Sequence, residues 1–262
     1  MTGRLIALAV MVGLALGLVL PGAGARAAET VGVVVIHGKD AKPPFRGIVG
    51  LEGALSQAGF LVEAPEMPWS ASRNYDADYE QAMVEIDGAV ARLKARGAKA
   101  VVIAGHSLGG NAAVGYGARR PGLKGIIALA PGHSPEVTAM RELCADSVAR
   151  AKALVAQGRG GQSDSFTDRN LGQTFQRPMV ARLYLSYFDP DGPVIMPRNA
   201  AKLTAPLLWV VGDSDPLSRF GPDYAFARAP ANPKNKYASV PADHMGTPSA
   251  AAELVVAWLK GL

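Results

Sequence analysis

Apolar positions along this chain fall into short β-branched runs separated by amphipathic stretches. "VGVVVIHG" (Val31 to Gly38) is an unbroken apolar run ending in a glycine turn, the pattern of a strand buried on both faces. A helix is predicted near Gly47 to Ala58, closed by Gly59, and "FLVEAP" gives a second strand before the polar, proline-containing loop "EMPWSASRNY". Between Tyr75 and Arg96, the residues Met83, Ile86, Val90 and Leu93 recur three and four apart on a polar surface, an amphipathic helix closed by Gly97. "KAVVIAG" is the third strand, followed by a sharp corner at Ser107 and an alanine-rich helix to about Ala118. "LKGIIALAPG", "APLLWVVGD" (Ala205 to Asp213) and "NKYASVPADH" supply strands four to six. Helices are predicted over Phe220 to Ala229 and in the closing "SAAAELVVAWLKGL". This alternation predicts an α/β fold, a mostly parallel sheet of about six strands flanked by helices. Sites in such sheets lie beyond the carboxyl ends of the strands.

One segment breaks the rhythm. About seventy residues, His133 to Thr204, separate strands four and five, where a crossover takes about a dozen. "SPEVTAMRELCADSVARAKALVAQG" predicts a helix capped by Ser134 with Pro135 at its first position. "RGGQSDSFTDRNLGQ" reads as a glycine-rich polar loop, and "RPMVARLYLSYFDPDGP" as a short helix ending at Asp189-Pro190. The segment is expected to be a cap inserted into a single domain spanning residues 28–262.

The amino-terminal pattern differs again. Arg4 precedes an uncharged apolar run from Leu5 to Leu20, and Ala25-Arg26-Ala27 forms an A-x-A exit. That is the layout of a secretory signal peptide over residues 1–27, which predicts a secreted or periplasmic protein with no stable membrane span after cleavage. An uncleaved anchor is the alternative, disfavoured because the run is short for a span. Cleavage would remove Arg4 and Arg26, two of 27 basic residues against 22 acidic ones, lowering the excess from +5 to about +3. No Lys/Arg cluster reads as a nucleic-acid face. Cys144 is the one cysteine, so no internal disulfide can form.

The Ser107 corner carries the candidate chemistry. Gly105-His106-Ser107-Leu108-Gly109 matches G-x-S-x-G between a strand and a helix. Such a turn lifts the hydroxyl out of the sheet and leaves the Leu108 N–H free at a helix start, where it can face a carbonyl oxygen gaining charge. Serine needs a base. Of His37, His106, His133 and His244, the last follows strand six in "PADHMGTP", a position that returns an imidazole over the corner. The base needs a carboxylate, and "VVGDSDP" offers Asp215, with Asp213 as the alternative. "HGKD" after the first strand offers the Lys39 N–H as a second oxyanion donor, with His37 holding that loop.

Ser107, then Asp215, then His244, each after its own strand, resembles the serine esterase and lipase branch of the α/β-hydrolase fold family. The resemblance covers nearly all of residues 28–262. It implies attack by Ser107, proton relay by His244 held by Asp215, an acyl-enzyme and water as acceptor. Two departures stand out. Pro68-Trp69-Ser70-Ala71-Ser72 replaces the glycine-rich turn common in the family after the second strand, and two leading strands of larger members are missing.

The expected activity is hydrolysis of a small-molecule carboxylic ester, with acyl transfer, amide cleavage or non-catalytic binding on the same fold as alternatives. Trp69 and His133 are candidate substrate contacts, beside aromatic residues of the insertion such as Phe166, Tyr184 and Phe188. No metal-ligand spacing and no dinucleotide-binding fingerprint is present, so neither a metal nor another cofactor is expected.

Overall fold

Six apolar or glycine residues form β1 (Val31–Ile36), all buried, in the computed structural model of the protein, which describes Thr2 and residues 29–262. The expected leader and its cut after Ala27 otherwise lie outside the described residues. Alternation along β1 serves two cores at once. Val31, Val33 and Val35 face a cluster containing α1 (Arg46–Gln57) and α8 (Ala252–Lys260). Val34 and Ile36 face the larger cluster, with α2 (Tyr79–Ala95) and α3 (Leu108–Gly117). A strand sandwiched in this way has no polar face, which is why it reads as a continuous apolar run.

The other main strands are β2 (Leu61–Glu63), β3 (Ala100–His106), β4 (Gly125–Leu129), β7 (Leu207–Gly212) and β8 (Lys236–Val240). They pair in the order β2-β1-β3-β4-β7-β8, every pairing parallel. The strand order reverses between β1 and β3, where a crevice opens at the carboxyl edge.

The insertion between β4 and β7 holds α4 (Thr138–Ala156), a hairpin of β5 (Ser163–Asn170) and β6 (Gln173–Val180), α5 (Ala181–Phe188) and α6 (Met196–Ala200). The hairpin corrects the expected loop. Leu171 and Gly172 link its strands with φ of 47° and 82°, the positive values that a two-residue hairpin turn requires. It is fastened from below by a stack in which Phe166 lies 4.5 Å from Tyr184, and Tyr184 4.3 Å from Phe188, centroid to centroid.

Helix bounds shift elsewhere. α4 begins at Thr138 after Val137, not at Pro135, and Ser134 instead closes a turn, its carbonyl accepting from Val137 N–H at 3.1 Å. The helix expected over Phe220 to Ala229 is replaced by two short 3₁₀ turns, Pro216–Phe220 and Phe226–Arg228. The closing helix splits into α7 (Thr247–Ala250) and α8. Among the described residues, no helix is long and apolar enough to cross a membrane.

Candidate active site

β3 ends directly in α3, and the residue at the junction is Ser107, with φ 56° and ψ −121°. A non-glycine residue in that region is strained and needs surroundings that fix it. The neighbours do so: Ser107 N–H donates to the Leu129 carbonyl at 3.0 Å, and the Ser107 carbonyl accepts from Asn111 N–H and Gly132 N–H, each at 3.1 Å. Glycine is required on either side. A Cβ on Gly105 would overlap the Gly109 carbonyl, and one on Gly109 would overlap the Ile36 carbonyl of β1. The hydroxyl therefore stands at the cavity floor with little freedom.

Two loops complete a chain of bonds. His244 lies in the loop between β8 and α7. Its Nε2 is 3.0 Å from Ser107 Oγ and its Nδ1 2.7 Å from Asp215 Oδ2. A carboxylate only accepts, so Nδ1 carries the proton and Nε2 is free to accept from the serine hydroxyl. Asp215 is buried, and its other oxygen accepts from Leu217 N–H at 2.9 Å. Burial alone would raise its pKa, but the bonds from His244 and Leu217 outweigh it and hold the carboxyl below its ordinary value. Asp213 is exposed, and among the described residues its carboxylate accepts only from Ser214 Oγ at 3.1 Å. The structure brings together Ser107, His244 and Asp215 and leaves Asp213 out.

The other histidines brace this arrangement. His106 donates from Nε2 to the His244 carbonyl at 2.8 Å, tying the loop that bears the imidazole to the serine corner. Burial first, then the neighbouring His244, pushes the His106 pKa down to about 4. His37 donates from Nδ1 to the Gly38 carbonyl at 2.8 Å and accepts from Met67 N–H at Nε2 at 2.9 Å. Burial lowers its pKa to about 4, so it is a neutral strut for the turn after β1.

Lys39 and Leu108 both line the cavity beside Ser107. The Leu108 N–H opens α3 and has no preceding turn to bond. The Lys39 N–H has no backbone acceptor among the described residues. Both donors are therefore available to an oxygen above Ser107.

The two expected substrate contacts turn out differently. Trp69 does not meet the cavity: it is fully buried, its Nε1 donates to the His37 carbonyl at 2.9 Å, and its carbonyl accepts from Asp40 N–H at 2.9 Å. Its ring meets Tyr187 edge-on, with centroids 6.3 Å apart, and braces the turn after β1 from below. His133 does line the cavity, but as a wall. Its Nε2 donates to the Tyr187 carbonyl at 2.8 Å, its Nδ1 is buried with no partner among the described residues, and burial lowers its pKa to about 3.

The cavity has a volume of about 430 Å³. Val137 and Met140 at the start of α4, Leu171 at the hairpin tip, and Leu217 and Phe220 after Asp215 give it apolar walls. Two cap residues, Asp168 and Arg177, form ion pairs with Lys39 and Asp40. The expected loop gave no reason to place them together. The signal was present in two eight-residue runs, each with a threonine and a phenylalanine, meeting at "NLG".

The alpha/beta hydrolase family description matches residues 33–258. No curated protein matches the chain in sequence. Among solved structures, a monoacylglycerol lipase of Paleococcus ferrophilus is 23% identical with a TM-score of 0.62, over 89% of this chain and 96% of that one. Est1E of Butyrivibrio proteoclasticus, solved with ferulic acid bound, is 20% identical with a TM-score of 0.57, over 89% and 88%. A thioesterase domain from the curacin biosynthetic pathway is 19% identical with a TM-score of 0.53, over 88% and 92%. At these identities the likeness is one of fold.

Proposed function

This chain belongs to the alpha/beta hydrolase family, and from that premise we propose that it is an exported serine hydrolase that cleaves a small or medium carboxylic ester through an acyl-enzyme. The observation that carries the reading is the unbroken chain Ser107 Oγ, His244 and Asp215, at 3.0 and 2.7 Å. In the first half-reaction the Ser107 hydroxyl proton passes to His244 Nε2 as Oγ bonds to the ester carbonyl carbon. The carbonyl oxygen gains the charge, and the Leu108 and Lys39 N–H groups stabilise it. Collapse breaks the bond to the alkoxy group, which takes the proton from His244 and leaves as the alcohol. Water then repeats the sequence on the acyl-enzyme and releases the acid. Asp215 keeps the imidazole in the tautomer this requires.

A cavity of about 430 Å³ with apolar walls is within the range of small-molecule sites and suits a short or medium acyl group. The leader pattern at residues 1–27 supports export. Two measurements test the proposal. A fluorophosphonate probe labels the wild type and not Ser107→Ala; absence of labelling in folded wild-type protein overturns the serine mechanism. A panel of p-nitrophenyl esters of graded chain length locates the preferred acyl group, and products formed with an added alcohol distinguish hydrolysis from acyl transfer.

A further inference from the structure

The turn after β1 is held from an unexpected side. Lys39 Nζ donates to Asp168 Oδ1 of β5 at 2.6 Å and to the Arg169 carbonyl at 3.1 Å. Asp168 Oδ2 accepts from Arg177 Nε of β6 at 2.7 Å, and Arg177 Nη2 donates to both oxygens of Asp40 at 2.9 and 2.8 Å. Asn170 Nδ2 adds a bond to Asp40 Oδ2 at 2.9 Å. Two cations and two anions thus close a neutral group, and the side chains of Lys39 and Asp168 are only 4% and 0% exposed.

Taking such charges out of water is costly, and apolar side chains of equal volume often fill the same space at no loss of stability. What apolar packing does not supply is direction. Lys39 lies between Gly38, which has no side chain to restrict its backbone, and Asp40, which sits at a φ of 56°. The Gly38–Lys39 peptide has little steric restraint of its own, and its N–H must point within a few tenths of an ångström of the right place to stabilise an oxyanion. Its anchors are His37 Nδ1–H to the Gly38 carbonyl at 2.8 Å, Asp40 N–H to the Trp69 carbonyl and, from the cap, the ion group.

We propose that Asp168 is a positioning residue: by holding Lys39 Nζ it sets the direction of the Lys39 backbone N–H, so that the cap hairpin is part of the oxyanion site and not only its roof. This rests on the serine-hydrolase reading above. It explains why both residues after Gly38 are ion-paired to one inserted hairpin.

The test uses the full chain carrying Asp168→Asn, Lys39→Met, or both. Readouts are kcat and KM on p-nitrophenyl butyrate, and Ki for a trifluoromethyl ketone of the same acyl length. Ser107 adds to that ketone, its proton passing to His244, and the resulting oxyanion needs the same two N–H donors. Each single variant is expected to lose about 10- to 100-fold in kcat with KM within about threefold. Ki should rise by the same factor as kcat falls. The double variant should be no worse than the more affected single, since both singles remove the Lys39–Asp168 bond. Unchanged kcat in a folded single variant, multiplying effects, or a loss confined to KM overturns the proposal. If Asp168→Asn does not fold, Lys39→Met carries the test alone, because it leaves Asp168 paired with Arg177. Ser107→Ala run in parallel separates the two claims. Activity surviving in that variant sinks the serine-hydrolase reading, whereas its loss beside a normal Asp168→Asn sinks only the role of Asp168.

Discussion

At the scale of single residues, the site depends on which atoms already have partners. His244 Nδ1 is committed to Asp215 and its carbonyl to His106, which leaves Nε2 as the one free acceptor, facing Ser107. Asp215→Asn would put an amide at the same place and allow the opposite tautomer, with a proton on Nε2. We expect a loss of about 10³- to 10⁴-fold in kcat, while Asp213→Asn stays within about twofold because, among the described residues, its carboxylate bonds only Ser214. Steady-state kinetics on one ester decides between them; equal losses would remove the distinction. Ser107→Ala should lose at least about 10³-fold with Tm unchanged, since the replacement removes one oxygen from a cavity wall.

At the scale of elements, the β3–α3 junction is a close approach of backbones. Gly109 sits against the Ile36 and His37 carbonyls at the end of β1, and no side-chain rotation can relieve a Cβ there. Gly109→Ala should therefore cost about 3 kcal/mol or more, and urea unfolding would register it as a lowered midpoint. Gly53 offers the contrast. It lies inside α1, and a Cβ added there would meet nothing within 4 Å, so Gly53→Ala should stabilise the protein by about 0.5–1 kcal/mol. A midpoint that moves the same way in both variants would contradict the account of the corner. The β5–β6 hairpin belongs to this scale too, because its pairing places Asp168 and Arg177 next to each other, both bonded to the turn after β1.

At the scale of the whole molecule, three histidines are held in the neutral form, His37 and His106 buried and His133 half-buried. Burial lowers His37 and His106 to about 4 and His133 to about 3, whereas in the unfolded chain each titrates near 6.5. Below that value the unfolded state binds protons that the folded state refuses, so the stability these groups allow is complete above about pH 6.5 and is lost as pH falls toward 4. Each contributes a slope of up to about 1.4 kcal/mol per pH unit, so the three together can offset a typical stability of about 5–15 kcal/mol within a few units. We expect the urea midpoint to fall steeply between about pH 6 and pH 4. His106→Gln keeps a donor for the His244 carbonyl while removing one titrating group, and should reduce that slope by about a third. An unaltered slope would mean that other groups govern acid unfolding.

The sequence alone determined what depends on neighbours a few residues apart: β1 as a doubly buried strand, the helix period of α2, the glycine-flanked corner at Ser107, and the order in which Ser107, Asp215 and His244 follow their strands. It missed the β5–β6 hairpin because its strands are largely polar and short of β-branched residues, so composition resembled a loop. Tertiary structure decided the rest. It set Asp215, the carboxylate the sequence favoured over Asp213, against His244, sent Trp69 into the core and tied His133 to the Tyr187 carbonyl. It also joined Lys39 to Asp168 across 129 positions and Asp40 to Arg177 across 137. Periodicity and turn chemistry are local and are written in adjacent residues, whereas the direction of a buried polar side chain is set by whichever partner packing brings within bonding distance.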